Sequence, residues 1–166
     1  MSRFFFLASL FFYLNLELFA QTPTSPNLAA PISVSPSILA DDPSEYLGLD
    51  LSSIFSRFGA PSRVNSLRGT EAWQDDVVFD YGSGWIISWA GDRVWKIAFK
   101  AAYSGSVYGL FLGDLPEKAY SILGTPWFGS EESLVYRMPW RGYPVRLRIM
   151  LEGGRISGFE LYRADL

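Results

Sequence analysis

Four acidic residues crowd one short stretch, Glu71, Asp75, Asp76 and Asp80, and they are the first candidates for chemistry. Two carboxylates converging on a substrate can run acid–base hydrolysis. Neighbouring residues on a strand point to opposite faces, however, so Asp75 and Asp76 would diverge. A polar lead into a strand is the simpler reading, and a hydrolase using Asp76 and Asp80 is the runner-up. A calcium loop needs oxygen ligands at alternating spacing and a closing acidic residue, an order "DDVVFDYGSG" lacks. Gly82-Ser83-Gly84 sets a serine between glycines, but a nucleophile elbow needs G-x-S-x-G between strand and helix, with a histidine partner. The 166-residue chain has no histidine and no cysteine. Imidazole acid–base chemistry, thiolate catalysis, disulfides and zinc sites of the usual kind are therefore excluded. No phosphate-cradling glycine motif is present. The sequence names no catalytic residue, no metal ligand and no cofactor, and the expectation is a protein that is not an enzyme.

Binding chemistry has better candidates. Trp85, Ile87 and Trp89 alternate along one strand face, which could make an aromatic platform but reads first as core. Trp127 and Trp140 fall in predicted loops, where exposed aromatics suit an interface or fold back as a lid. Arginine concentrates in "YRMPWRGYPVRLR". If residues 139–144 form a loop, Met138 lies opposite Val145 and Arg137 opposite Arg146, with Arg148 on the same face. Like charges directly opposite on a sheet destabilise it, so an anionic partner is expected. Either Asp76, Asp80, Glu152 or Glu160 supplies it internally, or another molecule's carboxylates or phosphates meet the guanidinium forks. Trp140 and Tyr143 would then add apolar anchors. The candidate binding residues are Arg137, Arg146, Arg148, Trp140, Tyr143 and Trp127.

These residues need elements to hold them. "LGLDLSSIFSRFGAP" at 47–61 is echoed by "LGDLPEKAYSILGTP" at 112–126, with Leu, Gly, Ser, Gly and Pro in register. In the first segment Asp50 or Ser52 can cap a helix with Leu51, Ile54, Phe55 and Phe58 on one stripe. Gly59 ends it and Pro61 forbids a restart. In the second, Pro116 and Glu117 suit a first turn, Ala119, Tyr120, Ile122 and Leu123 form the stripe, and Gly124 and Pro126 stop it. Gly48 and Gly113 mark tight approaches, with positive φ expected. "DVVFDY", "WIISW" and "RVWKIAF" read as strands after the first helix, "LVYRM", "VRLRIML" and "RISGFELY" after the second. Gly91-Asp92 and Gly153-Gly154 read as hairpin turns. The predicted fold is α+β: two tandem helix-plus-three-stranded antiparallel meander units, 45–100 and 107–164, sharing a layered core within one domain, 45–166. Residues 100–106 link them.

The G-helix-L-G-x-P pattern, followed by an aromatic and a strand hairpin, resembles the SmpA/OmlA outer-membrane-assembly small proteins and the tandem-repeat β-lactamase-inhibitory protein. Gly48, Phe58, Gly59, Pro61, Trp73, Arg93 and Val94 carry it in the first unit. Gly113, Leu123, Gly124, Pro126, Tyr136, Arg155 and Ile156 carry it in the second. The resemblance spans about 46–162 and implies the architecture and an envelope role, and no binding residue. Those assembly proteins are typically one-unit lipoproteins, and this chain has no cysteine to accept a lipid.

The N-terminal part reads as an address. Arg3 precedes an apolar run, Phe4–Leu14, then Asn15, Glu17 and the small Ala20, the order of a secretory signal peptide covering 1–20 and cleaved after Ala20. The run is shorter than the ~20 residues a membrane span needs, so no integral span is expected after cleavage. Residues 21–44 hold half the prolines and read as a disordered tether. Aromatic residues make up 17% of the chain, enough for a real core, and the net charge of −3 argues against a nucleic-acid binder. The expectation is an exported, non-enzymatic binding or scaffold domain, periplasmic or extracellular, recognising an envelope or extracellular protein.

Overall fold

The computed structural model describes residue 39, residues 42–68, residue 70 and residues 76–166. The expected signal peptide, most of the expected tether, and Glu71, Trp73 and Asp75 lie outside these residues.

Helix α1 spans Leu51–Phe58. The Asp50 carboxylate starts it, accepting the Ser53 backbone N–H at 2.8 Å and the Ser52 hydroxyl at 2.9 Å. This satisfies one of the free donors of the first turn. Gly59 ends the helix at φ 69°, ψ −161°, a region that only glycine visits freely. Helix α2, Pro116–Leu123, has proline in its first turn and ends at Gly124 with φ 79°, ψ −153°. The buried stripe is narrower than the sequence pattern suggests. Ile54 and Phe58 are buried in α1 and Ala119 in α2, while Leu51, Phe55, Tyr120 and Ile122 remain exposed. A two-turn helix meets a sheet along one i,i+4 line, and the residues on either side of that line reach solvent.

Among the described residues there are eight strands: β1 Arg63–Leu67, β2 Asp76–Asp80, β3 Trp85–Ala90, β4 Arg93–Phe99, β5 Phe128–Gly129, β6 Ser133–Met138, β7 Val145–Glu152 and β8 Arg155–Arg163. They form one antiparallel sheet in the order β1-β2-β3-β4-β8-β7-β6-β5. Gly153 and Gly154, at φ 56° and 73°, make the two-residue turn between β7 and β8, as that hairpin type requires.

The architecture corrects the expected pair of three-stranded meander units in a layered core. Among the described residues a single eight-stranded antiparallel sheet carries two short α-helices, and α1 precedes four strands, as does α2. The additional strands are β1 and β5. In β1, "RVNSL" is exposed at every position, so no burial alternation announces it. In β5 the pairing covers two residues, Phe128 with Val135 and Gly129 with Leu134. The halves join edge to edge, Lys96–Phe99 of β4 pairing with Phe159–Tyr162 of β8.

One face of the sheet is the core. Trp85, Ile87 and Trp89 lie fully inside it, so the alternating tryptophans are packing residues. Tyr81 stacks on Trp85 with ring centroids 4.4 Å apart, and Phe58 of α1 meets Trp85 edge-on at 5.1 Å. The link between the halves does more than connect: Tyr103, Val107 and Leu110 are buried in the same cluster. Leu39, Pro43 and Ser44, from the segment expected as tether, are buried as well. The opposite face carries the other set of each strand, including Ile86, Lys96, Glu160, Arg148 and Arg146, and it holds the candidate site.

Two expectations follow for stability. Gly124→Ala meets open space and costs only its backbone strain, about 1–3 kcal/mol. Gly84→Ala, also at positive φ, drives a Cβ into the Ala102–Tyr103 backbone and must cost more; chemical denaturation of both variants tests this ranking. The second concerns acid. The Ser53 backbone N–H, then the Ser53 and Ser52 hydroxyls, hold the Asp50 carboxyl down to about 2. Its contribution is therefore complete above about pH 4, where the unfolded group is ionised, and is lost as pH falls through about 2. Asp50→Asn keeps an acceptor and removes the titration, so its melting temperature should fall less than wild type over that window.

Candidate functional site

The β6–β7 hairpin adopts the register expected from its loop: Met138 pairs with Val145 and Arg137 with Arg146. Val145 and Leu147 turn into the core, which sends Arg146 and Arg148 to the open face. Two cations thus stand side by side on neighbouring strands, an arrangement that costs free energy unless something answers it.

The answer is an indole. Trp127 precedes β5, and its backbone N–H donates to the Val135 carbonyl at 2.8 Å, which pins the residue against β6. The Arg137 guanidinium lies 4.7 Å from the Trp127 ring centroid and that of Arg146 5.2 Å. The negative π face attracts each cation by about 0.5–1 kcal/mol at an exposed site. Among the described residues no carboxylate lies within ion-pair distance of Arg137 or Arg146. Trp127 itself is 58% exposed, with Phe128 exposed beside it. The site is a pair of guanidiniums that no carboxylate among the described residues neutralises, with a solvent-facing aromatic between them, suited chemically to a carboxylate or phosphate flanked by apolar surface.

The remaining candidates separate. Arg148 pairs with Glu160 at 3.2 Å, and Lys96 reaches the other oxygen of the same carboxylate at 3.7 Å; here the internal answer holds. Tyr143 donates its hydroxyl to the Leu47 carbonyl at 2.6 Å and lies under the Arg163 guanidinium, so it fastens the chain instead of facing a partner. Trp140 is 70% exposed in the hairpin loop, between Arg137 and Arg146 in sequence. Neither Trp127 nor Trp140 folds back as a lid.

Sequence reasoning passed over Tyr162, which pairs with Arg146, and did not single out Glu160 from the four possible acids. A two-residue turn at Gly153-Gly154, counted back without interruption, would set Phe159 opposite Arg148. A bulge between Met150 and Leu151 shifts the register by one and brings Glu160 there instead.

The acidic candidates do not assemble. Asp76 and Asp80 end the same strand, about 13 Å apart at the strand rise, wider than the ~5–9.5 Å of carboxylate pairs that cleave glycosides. Asp80 is already engaged by Arg63 at 3.6 Å and by the Gly82 N–H at 2.7 Å. Among the described residues no three acidic groups gather as a cation site. Also among them, no helix is long and apolar enough to cross a membrane.

No family model and no curated protein matches this chain. Solved structures do. A cysteine-rich secretory protein from Staphylococcus aureus aligns with a TM-score of 0.55 and 12% identity, over 78% of this chain and 49% of that one. An extracellular protein containing an SCP domain, from Bacillus anthracis, aligns with a TM-score of 0.49 and 14% identity, over 82% of this chain and 49% of its own. The chain spans about half the length of each. The Staphylococcus likeness is one of fold.

The pairing pattern makes a testable contrast. Arg137→Gln removes one of two opposed cations and should leave the melting temperature unchanged or higher. Arg148→Gln breaks a bridge and should lower it slightly, within the ~0–1 kcal/mol of surface pairs. Trp127→Ala should lower it and make it recover with added salt, as screening takes over from the lost indole. Equal destabilisation by Arg137→Gln and Arg148→Gln would contradict the assignment.

Proposed function

We propose that this chain is an exported, non-enzymatic binding domain that recognises an acidic surface of an envelope or extracellular protein. Arg137 and Arg146 engage the partner's carboxylates, Trp127 packs against its apolar surround, and Trp140 is an outlying anchor. The observation that carries this reading is the arginine pair that no carboxylate among the described residues neutralises. The fold bears the cost of two opposed cations and spends an exposed tryptophan on them. That arrangement is useful when a partner supplies the missing negative charge. A protein partner suits two clustered cations on an acidic chain better than a nucleic acid, whose backbone asks for many more.

Export is supported by the order of charge, apolar run and small residue in 1–20, and the similarly folded Staphylococcus structure is that of a secretory protein. The likeness of the G-helix-L-G-x-P unit to envelope-assembly proteins supports a partner in the same compartment.

Affinity capture from an envelope extract, followed by mass spectrometry, tests this with wild type beside Arg137→Gln/Arg146→Gln. The wild type should retain a defined protein, less of it at physiological than at low salt. The double variant should bind it roughly tenfold or more weakly with an unchanged melting temperature, since a charge-assisted bond is worth about 1.5–3 kcal/mol. Equal retention by a folded double variant would overturn the proposal.

A further inference from the structure

The two edges of the sheet are not alike. At one, β5 is two residues long and contains Gly129. At the other, β1 runs five residues, pairs among the described residues with β2 alone, and is exposed throughout. An open edge is a row of unanswered N–H and C=O groups, and proteins usually blunt it with lysine, proline, a bulge or a covering element. β1 carries no lysine and no proline, and its register with β2 runs without a bulge. Its one charge, Arg63, is paired with Asp80.

The edge is also apolar. Val64 is 59% exposed and Leu67 54%, and they point to opposite faces. On the helix side, Val64 pairs with Phe79, whose ring meets Phe55 of α1. The exposed ridge Leu51–Phe55 of α1 therefore runs beside the same edge, and Val77 adds to it. Among the described residues nothing covers this strand, and it makes one surface with the apolar ridge.

We propose that β1 pairs with β1 of a second copy of this chain, antiparallel about a two-fold axis at Asn65, to give a dimer with a continuous sheet. The strand is self-complementary in that register. Arg63 stands opposite Leu67 of the second copy and Val64 opposite Ser66, so no like charges meet. Asn65 stands opposite Asn65, where two amides can hydrogen-bond. Because β5 is too short to template a strand, each chain has a single competent edge among its described strands. The contact is then isologous and closes at two copies, where two usable edges would have given a fibre. The arginine pair lies near the opposite edge of the sheet, so this inference stands apart from the proposed function.

The absence of cysteine supplies a reporter. Asn65→Cys places one thiol at the proposed axis, and opposed residues of antiparallel strands lie about 4.5–5.5 Å apart between Cα atoms, within disulfide reach. Purified as its own host produces it, Asn65→Cys should cross-link to a covalent dimer under mild oxidation, whereas Ser130→Cys beside β5 should not. Sedimentation equilibrium of wild type should show a reversible dimer. Val64→Lys/Leu67→Lys, both at exposed positions, should raise its dissociation constant roughly tenfold or more with no loss of melting temperature. A wild type that stays monomeric at every concentration overturns the proposal and leaves the edge to a different chain. So does a folded Val64→Lys/Leu67→Lys variant that dimerises as well as wild type.

Discussion

Four residues of β4 meet four of β8, and every other part of the domain is arranged around that seam. Without it there would be two four-stranded halves, each with a two-turn helix and each too small to bury enough surface alone. With it, Ile97 faces Leu161 and Phe99 faces Phe159 across the middle of one sheet, and the core becomes continuous from α1 to α2. The seam also joins segments far apart in sequence. Each half can form by local hairpins, but the pairing of β4 with β8 closes a long loop, which is the slow kind of contact in folding. Buried Tyr103, Val107 and Leu110 sit in that loop, so the connection contributes apolar surface at the place where closure costs most.

The legible and illegible parts of this fold divide by physical cause. Gly59 and Gly124 were readable as helix ends because each follows an apolar stripe and precedes a proline, and their backbone angles are ones glycine adopts freely. Val145, Leu147 and Ile149 were readable as a core face because alternation is the signature of a half-buried strand. β1 was not, because a strand exposed at all five positions has no alternation to show. The hairpin register of Arg137 and Arg146 could be counted from the turn. The placement of Trp127 could not, because it depends on a two-residue strand that leaves no periodic trace. The pairing of Arg148 with Glu160 depends on a bulge, and a one-residue slip changes which acid is reached.

The open face is organised by how its cations are neutralised. Near the seam, Lys96 and Arg148 share Glu160, and at the far edge Arg63 uses Asp80; these cations are paired with carboxylates within the sheet. At the β6–β7 hairpin the cations meet a quadrupole instead of an anion. A carboxylate partner would have locked them, whereas a π face holds them in place, with Arg146 donating one N–H to the Val145 carbonyl at 3.0 Å. The distinction separates an ion pair closed within the sheet from cations held at its surface without a carboxylate.

The segment 141–144 ties together the two ends of the domain. Arg141 binds Asp42 and Ser44, and Tyr143 binds the Leu47 carbonyl where the chain comes in. Pro144 accepts the N–H of Ala164, and the Arg163 guanidinium covers the Tyr143 ring where the chain goes out. Beginning and end are therefore clamped to one hairpin loop. In modular terms the domain is a plug with both leads on the same side. A pull on either lead therefore loads the same four residues.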